Sequence, residues 1–217
     1  MARFVVTGGA GFIGCNTVRR LIARGDEVVV VDNLSRKGTQ SNLDWLREQG
    51  AFTFVQADIR DAEAMRRVFA DHGALDTVLH LAGQVAVTTS VVNPREDFEI
   101  NALGAFNVLE GIRLSGQKPL VIYSSTNKVY GGMEHIVIEE TETRYQYRDY
   151  PLGIPETELL DFHSPYGCSK GAADQYVRDY SRIYDIPTVV MRQSCIYGWR
   201  QFGVEDQGWV AWFVIAA

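Results

Sequence analysis

The sequence lacks both an apolar run long enough to cross a bilayer and a basic run that would attract nucleic acid. Lysine and arginine number 21 against 27 aspartates and glutamates, which gives a formal net charge of −6. A short predicted strand also stands at the N-terminus, where a signal peptide would need its apolar region. These absences argue against nucleic-acid and membrane partners, and we expect a cytoplasmic protein.

Cysteine and histidine are sparse and scattered. The 3 cysteines, Cys15, Cys168 and Cys195, are odd in number, and neither they nor the 4 histidines show the spacing of metal ligands. A disulfide framework and a metal site are therefore not expected. A reduced, intracellular protein fits this pattern best.

What remains is an ordinary composition with a regular alternation of strand and helix patterns. Of the 217 residues, 46% are hydrophobic and 22% are charged, as in most globular domains. The predicted strands are 3–7, 27–31, 52–56, 76–81, 119–124 and 187–191. The predicted helices are 12–24, 41–49, 61–73, 94–114 and 165–184. This alternation predicts an α/β fold with a doubly wound parallel sheet, the Rossmann fold, and a ligand at the carboxyl ends of the strands.

A glycine-rich turn joins the first strand to the first helix. Gly8, Gly11 and Gly14 follow the spacing of dinucleotide-binding turns, with one glycine for the tight turn, one for close approach of a pyrophosphate and one for helix packing. The pyrophosphate would bind the free N–H groups at the N-terminus of the helix.

An acidic residue ends the second strand. Asp32 can accept hydrogen bonds from the ribose hydroxyls of an adenosine and would repel a 2′-phosphate, so it favours NAD over NADP. Arg36 and Lys37 follow closely and leave open the alternative that a 2′-phosphate is held there.

The most informative pair is Tyr166 and Lys170, which lie four residues apart on a predicted helix and therefore on one face. An ammonium beside a phenol lowers the phenol's pKa from about 10 and makes it a usable general base. A chance pairing is the alternative, but the position downstream of a dinucleotide-binding turn favours catalysis.

Two segments interrupt the alternation. Residues 131–164 are too long for an ordinary loop. Their Arg144, Tyr145, Tyr147, Arg148 and Tyr150 either clamp a ligand or form a surface excursion, and the sequence leaves both open. Residues 208–217 begin an apolar helix that lacks an end signal. We expect residues 1–191 to form the NAD-binding domain and 192–217 to start a substrate-binding part that is largely missing from this sequence.

These features together resemble the extended short-chain dehydrogenases/reductases, the NAD-dependent epimerases and dehydratases of nucleotide-sugars. The resemblance covers the whole chain. It rests on TGGAGFIG at 7–14, Asp32-Asn33, Asp58-Ile59, HLAG at 80–83, Asn101, SST at 124–126 with VYG at 129–131, and YGCSK at 166–170.

The resemblance implies a role for each matching residue. Tyr166 would be the base, Lys170 would lower its pKa and hold the nicotinamide ribose, and Thr126 would orient the substrate oxygen. Cofactor contacts are implied for Gly8, Gly11, Phe12, Ile13, Gly14, Asp32, Asn33, Asp58, Ile59, Leu81, Ala82, Gly83, Asn101 and Lys170. Substrate contacts are implied for Thr126, Asn127, Arg200, Gln201 and Gln207.

The chemistry implied is epimerisation through a transient keto-sugar. Related 4,6-dehydratases carry an Asp-Glu pair after the threonine, whereas Asn127 and Lys128 stand there in this chain, so dehydration is not expected. Several longer runs, such as DNLSRKG at 32–38, are most similar to epimerases that act at C2 of a CDP-sugar. A UDP-sugar 4-epimerase, a net dehydrogenase or reductase, and a non-catalytic dinucleotide-binding module remain the alternatives.

The resemblance also implies a homo-oligomer. Subunits of that family commonly pair through the two long helices that here are 94–114 and 165–184. Apolar residues expected on the outer faces of these helices are Phe106, Val177 and Tyr180. We therefore expect at least a dimer.

Overall fold

The computed structural model describes residues 1–205 and 207–217. The strands are β1 (Arg3–Thr7), β2 (Glu27–Asp32), β3 (Thr53–Gln56), β4 (Thr77–His80), β5 (Leu120–Thr126), β6 (Ile138–Glu140), β7 (Tyr145–Tyr147) and β8 (Thr188–Gln193). The α-helices are α1 (Phe12–Ala23), α2 (Thr39–Gln49), α3 (Ala62–Asp71), α4 (Val87–Val92), α5 (Pro94–Phe98), α6 (Gly104–Leu114), α7 (Ser164–Tyr184) and α8 (Trp209–Ala216).

Six of the strands form one parallel sheet in the order β3-β2-β1-β4-β5-β8. The chain therefore adds β2 and β3 on one side of β1, then crosses back and adds β4, β5 and β8 on the other side. Such a reversal leaves a crevice at the carboxyl ends of β1 and β4, where ligands of doubly wound sheets bind. The predicted fold class, a doubly wound parallel sheet, is confirmed.

Apolar side chains on both faces of the sheet explain why β2 reads as an unbroken valine run. Val28 and Val30 pack with α1 and α2, whereas Val29 and Val31 pack with α3, α6 and α7. Successive side chains of a strand point to opposite faces, so a strand covered on both sides needs apolar residues at every position.

The predicted helix 94–114 is built from three segments. α5 runs into a π-helical turn at Glu99–Leu103, and α6 follows without a break. Asn93 caps the start by accepting a hydrogen bond from the N–H of Glu96, and Pro94 occupies the first turn. A π-helical turn of this kind frequently lies at a functional site, and this one carries Asn101.

Two predicted outer-face residues of the long helices are in fact part of the core. Val177 is fully buried and Tyr180 is nearly so, because they share one face of α7 with Ala173 and that face packs on the sheet. Phe106 is partly exposed, as expected, and the outer face of α7 instead exposes Tyr176 and Ile183.

The long insertion contains a small antiparallel hairpin of β6 and β7, in which Ile138 pairs with Tyr147. Tyr145 is exposed, and Arg148 pairs with its neighbour Asp149. None of its five proposed clamp residues lines either of the cavities described below. The structure therefore favours the surface excursion over the ligand clamp.

The end of the sheet differs slightly from the prediction. β8 continues to Gln193, two residues beyond the predicted end of this strand. The short α4 was not predicted, because its six residues are too few to show a helical period. In the described part of the chain, none of the helices has the length and apolar character that a membrane span requires.

A buried ion pair fixes α7 against β8. Asp174 of α7 is fully buried and accepts two hydrogen bonds from the guanidinium of Arg192, at 2.9 and 3.0 Å. The same carboxylate accepts the hydroxyl proton of Ser125, and Arg192 also donates to the Tyr130 hydroxyl. These bonds connect α7, β5 and β8 directly beneath Thr126.

We expect Asp174→Asn to lower the free energy of unfolding by about 3–5 kcal/mol, because it leaves Arg192 as an uncompensated charge in a largely buried site. Urea denaturation measures the change. Asp44→Asn is the matched control, since its pair with Arg47 is more than half exposed and should cost under about 1 kcal/mol. Equal losses in the two variants would contradict this assignment.

Candidate active site

Two adjoining cavities lie at the carboxyl edge of the sheet. Their volumes are about 380 Å³ and about 400 Å³, within the usual range for ligand sites. Phe12, Ile13, Val85, Gln201 and Gln207 line both. The first cavity contains the glycine-rich turn, and the second contains Tyr166 and Thr126.

The glycine-rich turn forms the floor of the first cavity. Gly8 has a φ of +69°, and a Cβ there would lie 2.7 Å from the backbone nitrogen of Ala82. A Cβ on Gly14 would overlap the carbonyl oxygen of Gly8. Phe12 and Ile13, in the first turn of α1, also line this cavity, and their N–H groups have no partner within the helix. The turn and helix N-terminus thus form an anion-binding cradle.

Asp32 lies in the wall of the first cavity and is largely buried. One carboxylate oxygen accepts the N–H of Ala10 at 3.0 Å, and the other accepts the N–H of Leu34 at 2.9 Å. Burial raises the pKa of Asp32, and these backbone hydrogen bonds oppose the rise. Each oxygen keeps a further lone pair, so the carboxylate can still accept two hydroxyl groups.

Asp58 and Ile59 line the far end of the first cavity. Asp58 accepts hydrogen bonds from Arg60 at 2.8 and 3.0 Å and from Asn33 at 2.8 Å. The hydrogen bonds from Arg60 are the main cause that lowers the pKa of Asp58 to about 2. Asp58 therefore remains an acceptor at neutral pH.

Residues 200–202 and Gln207 also line the first cavity. Arg200 donates to the side chain of Asn42 at 2.9 Å and to the carbonyl of Ser41 at 2.9 Å, both on α2. Arg36 is hydrogen-bonded to Gln207. The Arg36 guanidinium thus already has a neutral hydrogen-bond partner, which argues against the alternative that it binds a 2′-phosphate.

The residues predicted to contact substrate are divided between the cavities. Thr126, Asn127, Gln201 and Gln207 line the second cavity, next to Tyr166. Arg200 does not: it lines only the first cavity, because its guanidinium turns toward α2 and lies over the ring of Trp45. Arg200 thus lies apart from the other residues predicted to contact substrate, and a substrate contact for it stays a prediction.

Tyr166 lies near the start of α7 and is 8% exposed. Its N–H donates to the Ser90 hydroxyl at 3.1 Å, which ties it to α4. Burial raises the pKa of the phenol, the nearby Thr126 hydroxyl opposes that rise, and the charge of Asp97 adds to it. Lys170 is not among these causes, so the side chains of this chain do not by themselves produce the expected lowering.

Lys170 turns its ammonium toward β5. The Nζ donates to the carbonyl of Ser124 at 2.5 Å and lies 4.4 Å from the ring centre of Tyr123. A Cβ on Gly83 would stand 3.8 Å from this Nζ, so the ammonium is also close to the turn after β4. Burial lowers the pKa of Lys170 to about 7, although Asp97 and Asp174 act in the opposite direction.

Asn101 does not line either cavity but supports the wall of the first. Its Oδ1 accepts the N–H of Gln84 at 3.0 Å, and its Nδ2 donates to Asp97 at 3.1 Å. Leu81, Ala82 and Gly83 of the same turn do line that cavity. Asn101 was predicted to contact the cofactor. In the structure it holds in place the turn that forms the wall of the first cavity.

Several site residues lay outside the sequence prediction. Val85, Cys195, Ile196 and Tyr197 line the cavities, and Asp97, Asp174 and Arg192 form the buried polar network behind them. Only the spacing of Asp97 and Asn101, four apart on a predicted helix, was a visible signal. Within residues 1–205 and 207–217, no cluster of histidine, cysteine and acidic residues could hold a metal ion.

Comparison with known proteins places this arrangement among nucleotide-sugar enzymes. The family model described as GDP-mannose 4,6 dehydratase matches residues 5–206. The chain is 52% identical over 211 residues to the CDP-paratose 2-epimerase of Salmonella typhi, covering 97% of this chain and 62% of that protein.

Two solved structures are also similar. The UDP-glucose 4-epimerase of Thermotoga maritima, solved with UDP-glucose, has a TM-score of 0.79 at 36% identity, over 97% of this chain and 61% of that one. DesIV, the dTDP-glucose 4,6-dehydratase of Streptomyces venezuelae with NAD and TYD bound, has a TM-score of 0.75 at 31% identity, over 92% and 57%. The chain thus spans about three fifths of the length of these relatives.

Proposed function

The chain belongs to the GDP-mannose 4,6 dehydratase family of NAD-dependent epimerases and dehydratases, and from that premise we propose that it is the NAD-binding part of a nucleotide-sugar epimerase. One observation carries the proposal: Tyr166 and Thr126 line a cavity that adjoins the glycine cradle, and Asn127 lies beside them. The 52% identity to a CDP-paratose 2-epimerase favours a CDP-sugar as substrate and C2 as the epimerised carbon.

The first cavity fits NAD by the chemistry of its walls. The N-terminal N–H groups of α1 suit the pyrophosphate, and Gly8 and Gly14 leave room that a side chain would fill. Asp32 has lone pairs for the adenosine ribose, and Asp58 and Ile59 would flank the adenine. Lys170, close to the Gly83 turn, would hold the nicotinamide ribose. When bound, NAD supplies the redox chemistry, taking a hydride from the sugar carbon and returning it.

The residues of this chain handle the proton. Tyr166 as phenolate takes the hydroxyl proton of the sugar and later returns it, and Thr126 holds the sugar oxygen in line. Because burial raises the pKa of this phenol, the phenolate needs positive charge brought close to it when the site is filled. The keto-sugar turns within the second cavity before it is reduced from its other face.

Dehydration would need a carboxylic acid and base beside Thr126. Asn127 and Lys128 follow Thr126 instead, and Asn127 lines the second cavity. Lys128 lines that cavity too, but neither Asn127 nor Lys128 is a carboxylic acid. The acid and base of the dehydratases are therefore lacking at these two positions, and the proposed chemistry stops at oxidation and reduction. A UDP-sugar 4-epimerase is the second candidate, supported by the 36% identity to the Thermotoga maritima enzyme. Turnover of a panel of CDP- and UDP-sugars separates the two.

We further propose that residues 1–191 form the NAD-binding unit and that the segment from 192 contributes to the substrate site. The support is that Gln193 to Tyr197 line the second cavity. We also propose a cytoplasmic location. Its support is that the three cysteines are free thiols in this structure. Fractionation of cells that express the complete protein would test the location.

The cofactor prediction is that the purified protein carries NAD, which denaturation releases for enzymatic assay. Asp32→Ala should weaken NAD binding about 10- to 100-fold, since hydrogen bonds to a charged acceptor contribute about 1.5–3 kcal/mol. Asp32→Asn, which keeps an acceptor but removes the charge, should retain more affinity for NAD and accept NADP better. Release of NADP from the unmodified protein would refute the cofactor assignment.

The catalytic prediction concerns the base. Tyr166→Phe in the complete enzyme should reduce turnover by about 10²–10⁴-fold while NAD affinity stays nearly unchanged, because the phenol addresses the sugar. Tyr176→Phe is the matched control: it lies on the same helix, is 51% exposed and lines neither cavity. Near-normal epimerisation by Tyr166→Phe would mean that another group is the base.

The assembly prediction is a dimer through the outer faces of α6 and α7. Phe106 and Tyr176 pack edge to face with 5.7 Å between ring centres, and both remain partly exposed together with Ile183. Light scattering should report a dimer, and the double variant Phe106→Asp, Tyr176→Asp should report a monomer. A monomer for the unmodified protein over a wide concentration range would rule the interface out.

A further inference from the structure

A buried carboxylate that the proposed chemistry does not use lies behind the catalytic helix. Asp97 of α5 is 1% exposed. Its Oδ2 accepts the Ser169 hydroxyl at 2.5 Å, and its Oδ1 accepts the Asn101 amide at 3.1 Å. Ser169 is the residue before Lys170, and Asn101 supports the turn that carries Gly83. Asp97 thus connects the π-helical turn to α7 at the level of the active site.

The surroundings of Asp97 contain three titratable groups, namely Tyr166 and Lys170 from α7 and Tyr123 from β5. Burial raises the pKa of Asp97, and its two hydrogen bonds and the charge of Lys170 oppose that rise. Asp97 in turn raises the pKa of Tyr166 and of Tyr123.

Lys170 has no other free counter-charge in the described chain. Asp174 also faces it but is already paired with Arg192 at 2.9 Å. Among residues 1–205 and 207–217, Asp97 forms no ion pair. A charge that is buried without a direct partner acts over a longer distance than an exposed one, because little water screens it.

A Cβ on Gly83 would lie 2.9 Å from Asn101 Oδ1 and 3.8 Å from Lys170 Nζ, so the Asn101 side chain that Asp97 binds lies close to the ammonium. We propose that Asp97 is a positioning residue of the active site: its two hydrogen bonds hold Ser169 and Asn101 in place beside Lys170, and its negative charge favours the ammonium form of that lysine. The inference rests on the proposed function only in that a charged Lys170 is needed beside the phenol and the nicotinamide ribose. A purely structural Asp97 would need the hydrogen bonds but not the charge.

Asp97→Asn separates the two roles. The amide keeps an acceptor for Asn101 and can donate to the Ser169 hydroxyl, so the packing is retained while the charge is lost. Glu96→Gln is the matched control, because it removes the same charge from the neighbouring, exposed position. The readout is the NMR titration of the lysine side chains, which are Lys37, Lys118, Lys128 and Lys170.

We expect Lys170 to titrate near pH 7 in the unmodified protein and at a distinctly lower pH in Asp97→Asn. Glu96→Gln should leave this titration unchanged. In the complete enzyme, both limbs of the pH profile of turnover should move to lower pH in Asp97→Asn, since Asp97 raises the pKa of Lys170 and of Tyr166. An unchanged Lys170 titration in Asp97→Asn overturns the proposal.

A second measurement needs no variant. In the unmodified protein the Asp97 carboxyl resonance should shift as Lys170 loses its proton, because the two charges interact. An Asp97 carboxyl resonance that does not shift as Lys170 loses its proton also overturns the proposal. Neither NMR result depends on catalysis. If Asp97 and Lys170 titrate as a coupled pair but the complete protein epimerises no sugar, the proposed function is wrong and this inference still holds.

Discussion

The contact between α7 and the end of β5 determines where the reactive groups of this protein lie. Lys170 of α7 donates to the carbonyl of Ser124 at 2.5 Å, and Asp174, one turn later, accepts the hydroxyl of Ser125 at 2.8 Å. Tyr166, one turn earlier on the same helix, then lies beside Thr126 at the wall of the second cavity. A shift of α7 by one residue would break all of these contacts together.

The fold and the dinucleotide cradle followed from local patterns in the sequence. The alternation of strand and helix patterns predicted each strand of the large sheet to within two residues. The central strands β1 and β2 were the plainest, because they are largely buried and read as apolar runs. Gly8 and Gly14 were equally visible, since no other residue fits so close to Ala82 and to the Gly8 carbonyl. The helical spacing indicated Tyr166 as a base activated by Lys170, and the family resemblance added the role of Thr126 and the ribose contact of Lys170.

The polar network behind the site was not predictable, because its partners are far apart in the sequence. Asp97 and Ser169 are 72 residues apart, and Ser125 and Asp174 are 49 apart. The orientation of Arg200 was missed for a similar reason: its partners Ser41 and Asn42 lie on α2. Val177 and Tyr180 were assigned to the outer face because the sequence does not show which side of α7 meets the sheet.

We propose that this chain is the NAD-binding part of an epimerase whose cofactor ends each cycle as it began. The most direct test follows CDP-paratose by NMR in the presence of the complete protein while absorbance at the NADH band is recorded. The account predicts an equilibrium mixture of the two C2 epimers with no net accumulation of NADH. Stoichiometric NADH formation, or no epimer from any CDP- or UDP-sugar by an NAD-loaded protein, would contradict it.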